Sequence, residues 1–215
     1  MPTIVALLVL FLSCVGTSAA ADNCAVSGSP AWSTEVHNII AGCESRLASP
    51  DGSKVLLVKA DGRLSLSYTH GTSFDATSFV VGPPAMVSWA PSSSVFFVND
   101  GEGSGMASTF RLFRLVDSRV TEVNAIQRNA VKLYRDQMAC PASAADPNVW
   151  GIGWSSTGKE VYLFVQATAN MPCGKPSEFM GLVVNSADGS VIEQLATAKA
   201  KRRFRALLPR EVYNR

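Results

Sequence analysis

Short apolar runs alternating with polar residues, cut by turn-forming Gly, Pro, Asp and Ser, set the rhythm of this chain. From Arg46 to Leu66 the order is "RLAS", Pro50-Asp51-Gly52, "KVLLVKA", Asp61-Gly62, "RLSL". Asp-Gly between such runs specifies a hairpin, because Gly enters positive φ without steric penalty and the Asp carboxylate bonds its own turn. "TSFVV", Thr77 to Val81, predicts a fourth strand and completes a meander. The layout returns at "AMVSWAPSSSVFFVND…TFRLFRL…RVTEV" and at "GIGWSSTGKEVYLFVQAT…FMGLVVNSADGSVIEQL". Alignment on Ser49, Ala90 and Ser155 spaces the three units by 41 and 65 residues. A spacing of about 40 residues is that of one four-stranded propeller blade.

The longer interval exceeds the shorter by 24 residues, about the size of "NAIQRNAVKLYRDQMACPASAADP". There Ala125, Val131, Leu133, Tyr134 and Met138 fall on one side at helical spacing, among Arg128, Lys132, Arg135 and Asp136. Pro141 and Pro147 end any helix. This predicts a helical insertion over about 124–141.

"SPDGSKVLLV", "SWAPSSSVFFV" and "GWSSTGKEVYLFV" resemble the blade openings of WD40-like and TolB-like β-propellers, in which an apolar strand runs into a Ser-Pro-Asp-Gly turn. The resemblance spans roughly residues 44 to 195 and is degenerate. Only the first copy has the full Ser-Pro-Asp-Gly, and the Gly-His and Trp-Asp signatures of WD40 repeats are absent. It implies a mainly β fold: three four-stranded antiparallel propeller-like blades with an inserted helix and terminal helices. Three blades are fewer than the four of the smallest closed propellers. The expectation is therefore an open stack, a rearranged sheet, or a homo-oligomer in which another copy completes the array. Exposed strand edges need cover, and "STEVHNIIAGC" and the basic segment at about 196–208 are expected to supply it as helices.

The N-terminus changes the setting. Thr3 to Leu12 is apolar apart from Thr3, and "SCVGTSAAAD" follows with small residues placed for a signal peptidase. The run is too short to span a bilayer, which takes about 20 apolar residues. Residues 1–21 are thus expected to be a cleaved signal peptide, leaving 22–215 as one domain, secreted or periplasmic. The less favoured alternative is a lipoprotein anchored at Cys14. Cleavage leaves Cys24, Cys43, Cys140 and Cys173, an even count that reads as two disulfides in an exported chain. Four cysteines allow three pairings; proximity in sequence favours Cys24–Cys43 and Cys140–Cys173.

Charge and motifs narrow the chemistry. Nineteen basic against 17 acidic groups, net +2, argues against a nucleic-acid partner bound by phosphate neutralisation. The loop "NDGEGSG", Asn99 to Gly105, begins like a calcium loop, but Arg111 and Ser108 stand where acids would close it, so it reads as a hairpin turn. His37 and His70 are the two histidines and neither has a recognisable partner, no spacing nominates a carboxylate pair, and no Gly-x-Ser-x-Gly elbow or phosphate loop is present. No catalytic residue, metal or cofactor is nominated. Trp89, Trp150 and Trp154 are expected to pack between sheets. The cluster "KAKRRFRALLPR" gives candidate partner-binding residues Lys201, Arg202, Arg203 and Arg205, with Ala200, Phe204, Leu207 and Leu208 forming an apolar helical face. These features favour an exported non-catalytic binding or assembly domain that presents blade loops or a basic helix to a partner, a protein or anionic ligand, with a membrane surface less favoured. The alternative is a secreted hydrolase whose catalytic residues are dispersed over the sheet loops.

Overall fold

The computed structural model describes residues 36–39, 42–68, 73–101, 108–116 and 119–210. Within them lie three antiparallel sheets. The first is β2 (Ser45–Ala48), β3 (Lys54–Val58), β4 (Arg63–Tyr68) and β5 (Ser73–Val80), in that order. The second runs β1 (His37–Ile39), β6 (Ala85–Trp89), β7 (Val95–Asp100), β8 (Thr109–Val116), β9 (Arg119–Glu122). The third is β10 (Asn148–Trp154), β11 (Glu160–Gln166), β12 (Phe179–Asn185) and β13 (Val191–Leu195). Helix α1 (Ala125–Gln137) lies between the second and third sheets in sequence, and α2 (Thr197–Arg203) follows the third.

The repeat seen in the sequence is a repeat of hydrogen bonding. At each opening turn the N–H of Ser49, Ala90 or Ser155 donates to the carbonyl of Lys54, Val95 or Glu160, at 2.8, 2.8 and 3.0 Å. The N–H of Gly52, Ser93 or Gly158 returns a bond to the same leading residue, at 2.9 Å in all three. The residue at that place has φ +68°, +56° and +70°. Ser93 occupies the left-handed region without being glycine, and its buried Oγ accepts the Asp51 N–H at 3.1 Å, tying the second turn to the first.

Register then decides which layer each side chain meets. Leu56 and Val58 face the second sheet, where they pack with Val87, Phe96 and Val98. Phe97, Phe110 and Leu112 face the other way, against Val161, Leu163 and Val165 of the third sheet. Helix α1 joins that second core through Ile126, Ala130, Val131 and Tyr134, the i, i+4, i+5, i+8 stripe of an amphipathic helix. Trp89 and Trp154 are buried beside equivalent turns, and each indole reaches back one sheet. Trp89 Nε1 donates to the Leu47 carbonyl and Trp154 Nε1 to Ser88 Oγ, both at 3.2 Å. Leu47 and Ser88 hold the same repeat position.

A third core forms on the far face of the third sheet, where Phe164, Phe179 and Tyr162 meet Ala200, Phe204 and Leu208. Phe204 stacks on Tyr162 with ring centroids 4.9 Å apart. Gly181 permits the approach, since a Cβ there would sit 2.5 Å from the Ala200 Cβ. Trp150 is buried in this core.

Three expectations need correction. The segment "STEVHNIIAGC" was expected to be helical, yet His37–Ile39 is a strand in register with Ala85–Val87. Ile39, 1% exposed, is worth more on the edge of β6, where its β-branched side chain enters the first core. That strand makes the middle sheet five-stranded rather than four-stranded. The basic helix ends at Arg203 instead of 208: i→i+3 bonds from Leu207 to Phe204 and Leu208 to Arg205 replace helical ones ahead of Pro209, which disfavours helix at Leu208. It covers the face of the third sheet and not an edge. The insertion at 124–141 contains α1 as expected.

Three turn aspartates make stability acid-sensitive. Asp51, Asp61 and Asp188 each accept the N–H two residues on, at 2.9, 3.1 and 2.8 Å. All three are held below the usual carboxylate range: Asp51 first by the Ser49 hydroxyl, Asp61 by the Arg63 N–H, Asp188 by the Ser190 hydroxyl. Their contribution is present above the unfolded carboxylate value of about 3.9 and is lost as pH falls through the lower folded values. Urea midpoints are expected to drop over that acid window, and less so in the triple Asn variant. Equal slopes in parent and variant would refute the assignment.

Candidate functional site

The basic ridge of α2 is built by a division of labour within one short segment. Ala200, Phe204 and Leu208 are buried at 0, 2 and 6% exposure and hold the segment to the sheet. The intervening Lys199, Arg202, Arg203 and Arg205 are exposed and Lys201 is part-buried. Arg203 lies 3.9 Å from Glu193 on β13, with both side chains about half exposed, an ion pair worth little. Residues 196–210 carry six basic groups and no acidic one. Taking those six from the chain's nineteen leaves thirteen against seventeen acidic groups, so the remainder is net −4. The ridge is thus a positive feature on a negative body, which is the asymmetry that selects an anionic partner.

Two concave regions among the described residues bear on the question. One, about 490 Å³, lies where the three opening turns converge and is lined by Pro50, Pro91 and Ser156, which hold equivalent repeat positions, with Trp89, Trp154 and Ser155. It carries no charged residue, and both indole N–H groups are already bonded inward. The other, about 380 Å³, lies along α1 among Arg128, Lys132 and Arg135. Lys132 pairs with Asp136, and Arg135 pairs with Asp146 at 2.9 Å and donates to the Ala144 carbonyl, which blunts its positive field.

The loop opening at Asn99, read from the sequence as a hairpin turn, joins the antiparallel strands β7 and β8, and its described ends are buried in the fold. Asn99 and Asp100 end β7 and Ser108 precedes β8, all three buried. The Asn99 amide bonds both backbone groups of Gly151 on β10, donating at 2.8 Å and accepting at 2.6 Å. Ser108 and Asn148 continue the seam: Val149 N–H donates to the Ser108 carbonyl, and Ser108 N–H to Asn148 Oδ1, both at 2.9 Å. These contacts occupy the edge of β10 that no strand pairs among the described residues. Arg111, considered as a failed calcium position, instead bonds Asp100 at 3.0 Å and grips Glu122 with two nitrogens at 2.8 and 3.1 Å. Burial works against its charge, but Glu122 and Asp100 outweigh that and hold its pKa above the usual value. Glu102, Ser104 and Gly105 lie outside the described residues.

Other sequence candidates fall as follows. His37 begins β1 with its side chain exposed, and His70 lies outside the described residues. Among the described residues no group of three or more His, Cys, Asp or Glu is placed to hold a metal ion. No helix of the described residues is long and apolar enough to cross a membrane. Cys140 and Cys173 form a disulfide with Cα atoms 5.3 Å apart, tying the end of α1 to the β11–β12 loop. Cys43 is also disulfide-bonded; Cys24, Cys14 and the signal segment 1–21 lie outside the described residues. Removing the Cys140–Cys173 bridge by Ser substitution is expected to lower unfolding free energy by about 4 kcal/mol, the loop-closure value for a 33-residue separation. Unchanged urea midpoints would argue against it. Comparison with family models and with curated proteins brings no match to this chain.

Proposed function

We propose that this protein is an exported, non-catalytic binding domain that presents the basic ridge of α2 to an acidic protein segment. The observation that carries the reading is the separation of roles in residues 199–208: apolar side chains hold the segment down, while Lys199, Arg202, Arg203 and Arg205 stand exposed and Arg203 makes a weak contact with Glu193. Lipid headgroups fit less well, because the apolar residues of the segment are committed to the fold and leave nothing to insert. The scaffold is read as part of a propeller: three meanders stacked face to face, opened by one repeated turn and linked by equivalent indoles. Export is supported by residues 1–21 as a signal and by a disulfide of the kind that persists in oxidising compartments.

The test is polyglutamate binding at low salt, with the triple variant Arg202→Gln, Arg203→Gln, Arg205→Gln. Gln keeps helix propensity and most stem packing. Affinity for the polymer is expected to fall at least tenfold and to fall with added salt in the parent, while the melting temperature moves by only a degree or two. Parent-like affinity in the triple variant would refute the reading. Binding to vesicles of anionic lipid but not to polyglutamate would reassign the ridge to a membrane.

A further inference from the structure

Each sheet in the stack carries a pair of residues that faces the next layer. They are Leu56 and Val58 in the first, Phe97 and Asn99 in the second, Tyr162 and Phe164 in the third. Each also carries a pair that faces the layer before: Val55 and Leu57, Phe96 and Val98, Val161 and Leu163. Inside the chain these sets meet twice, at the two inter-sheet cores. At one end, among the described residues, Tyr162 and Phe164 meet no further sheet, and α2 lies on them through Phe204. At the other end Val55 and Leu57 are only part-buried.

We propose that α2 is a removable cap, and that the face beneath it is a docking surface for the first sheet of a second copy of this chain. The occupant follows from continuity. The seam that Tyr162 and Phe164 would make with a partner's Val55 and Leu57 is the next step of an interface the chain already builds twice. The cap is slight: seven residues, with no side chain capping its N-terminus. A helix that short is unstable alone and depends on its docking. Its outer surface is basic and wet, as terminal caps of stacked arrays must be if the array is to stop. The intermolecular seam is weaker than the internal ones, because Ala48 stands where Trp89 and Trp154 supply the back-reaching indole. Self-association is therefore reversible and depends on concentration. This inference stands on the sheet register and is independent of the charged ridge.

Two uncapped variants test it: deletion of residues 197–215, and Gly181→Leu in the full chain, whose side chain would take the place of Ala200. Light scattering on either is expected to show mass rising with concentration, while the parent stays at a constant mass. Adding Leu57→Lys to an uncapped chain should abolish self-association, since it spoils the opposite face. That double variant should still form a one-to-one complex with the parent, which supplies an intact first sheet and keeps its own cap. Folded, uncapped chains that do not self-associate would overturn the proposal, as would association that Leu57→Lys leaves unchanged. Loss of cooperative unfolding in both uncapped variants would overturn it too, by making α2 part of the core.

Discussion

Asn99→Leu is expected to lower the free energy of unfolding by about 4 kcal/mol, although the two side chains are nearly the same size. The Asn99 amide is the partner of both the N–H and the C=O of Gly151, in a site where Asn99 is 2% exposed. A leucine removes both bonds and leaves two buried backbone groups unpaired, each at a cost of about 1–3 kcal/mol. The Phe97 and Phe110 rings pack directly on Gly151, 2.7–2.9 Å from where a Cβ would be, and leave no room for a side chain on that side. Asn99→Asp separates shape from hydrogen bonding. It keeps an acceptor for the Gly151 N–H but sets carboxylate oxygen against the Gly151 carbonyl, so its penalty should ease at acid pH, where the introduced carboxyl can donate. Urea unfolding with unchanged m-values measures both effects. A loss below about 1 kcal/mol for Asn99→Leu would mean that the Asn99 clamp adds little to the apolar packing and the other hydrogen bonds between the second and third sheets.

The same residues show what could and could not be read from the chain. Asp-Gly turns, alternating strands and the α1 stripe are local patterns, and their order along the chain was legible because each element satisfies itself within a few residues. The layered register was legible in outline, since Phe96-Phe97 and Val161-Tyr162 alternate in the same phase from their turns. The Asn99–Gly151 clamp joins positions 52 apart, and no local pattern marks Asn99 as a substitute for a strand. Asp100 and Arg111 were weighed as the ends of a calcium loop; their real relation is across adjacent strands, where Asp100 pairs with Thr109 and the next outward residue of β8 on that face is Arg111. The first strand was misread because a stretch as short as His37–Ile39 suits helix and strand alike, and only its pairing with the edge of β6 decides between them. The basic ridge was visible at once, because charge clustering is a property of sequence. That its apolar partners would lie on a sheet face was not.

Arg111→Met is expected to be comparably damaging, at about 4 kcal/mol, and for a different reason. The guanidinium spends all its reach inside the fold: one nitrogen serves the Val80 carbonyl at 2.6 Å and Asp100, while two others hold Glu122. Its face also lies 5.2 Å from the Phe113 ring centroid. The three charged side chains are 10–19% exposed, too dry for water to replace the lost partner. Methionine restores the stem packing but strands two carboxylates beside each other, and breaking a buried pair from one side costs about 3–5 kcal/mol. Removing the charges together is a different matter. Arg111→Met combined with Asp100→Asn and Glu122→Gln leaves neutral groups, with Asp100→Asn retaining an oxygen for the Gly82 N–H that Asp100 now accepts at 2.8 Å. The triple variant should therefore recover at least half of the loss, although three substitutions are made instead of one. That non-additivity is the signature of a coupled charge cluster. If the triple variant is as unstable as the sum of its single substitutions, the cluster is three independent contacts, and the ion pairs do not account for the stability of the strand edge at Val80.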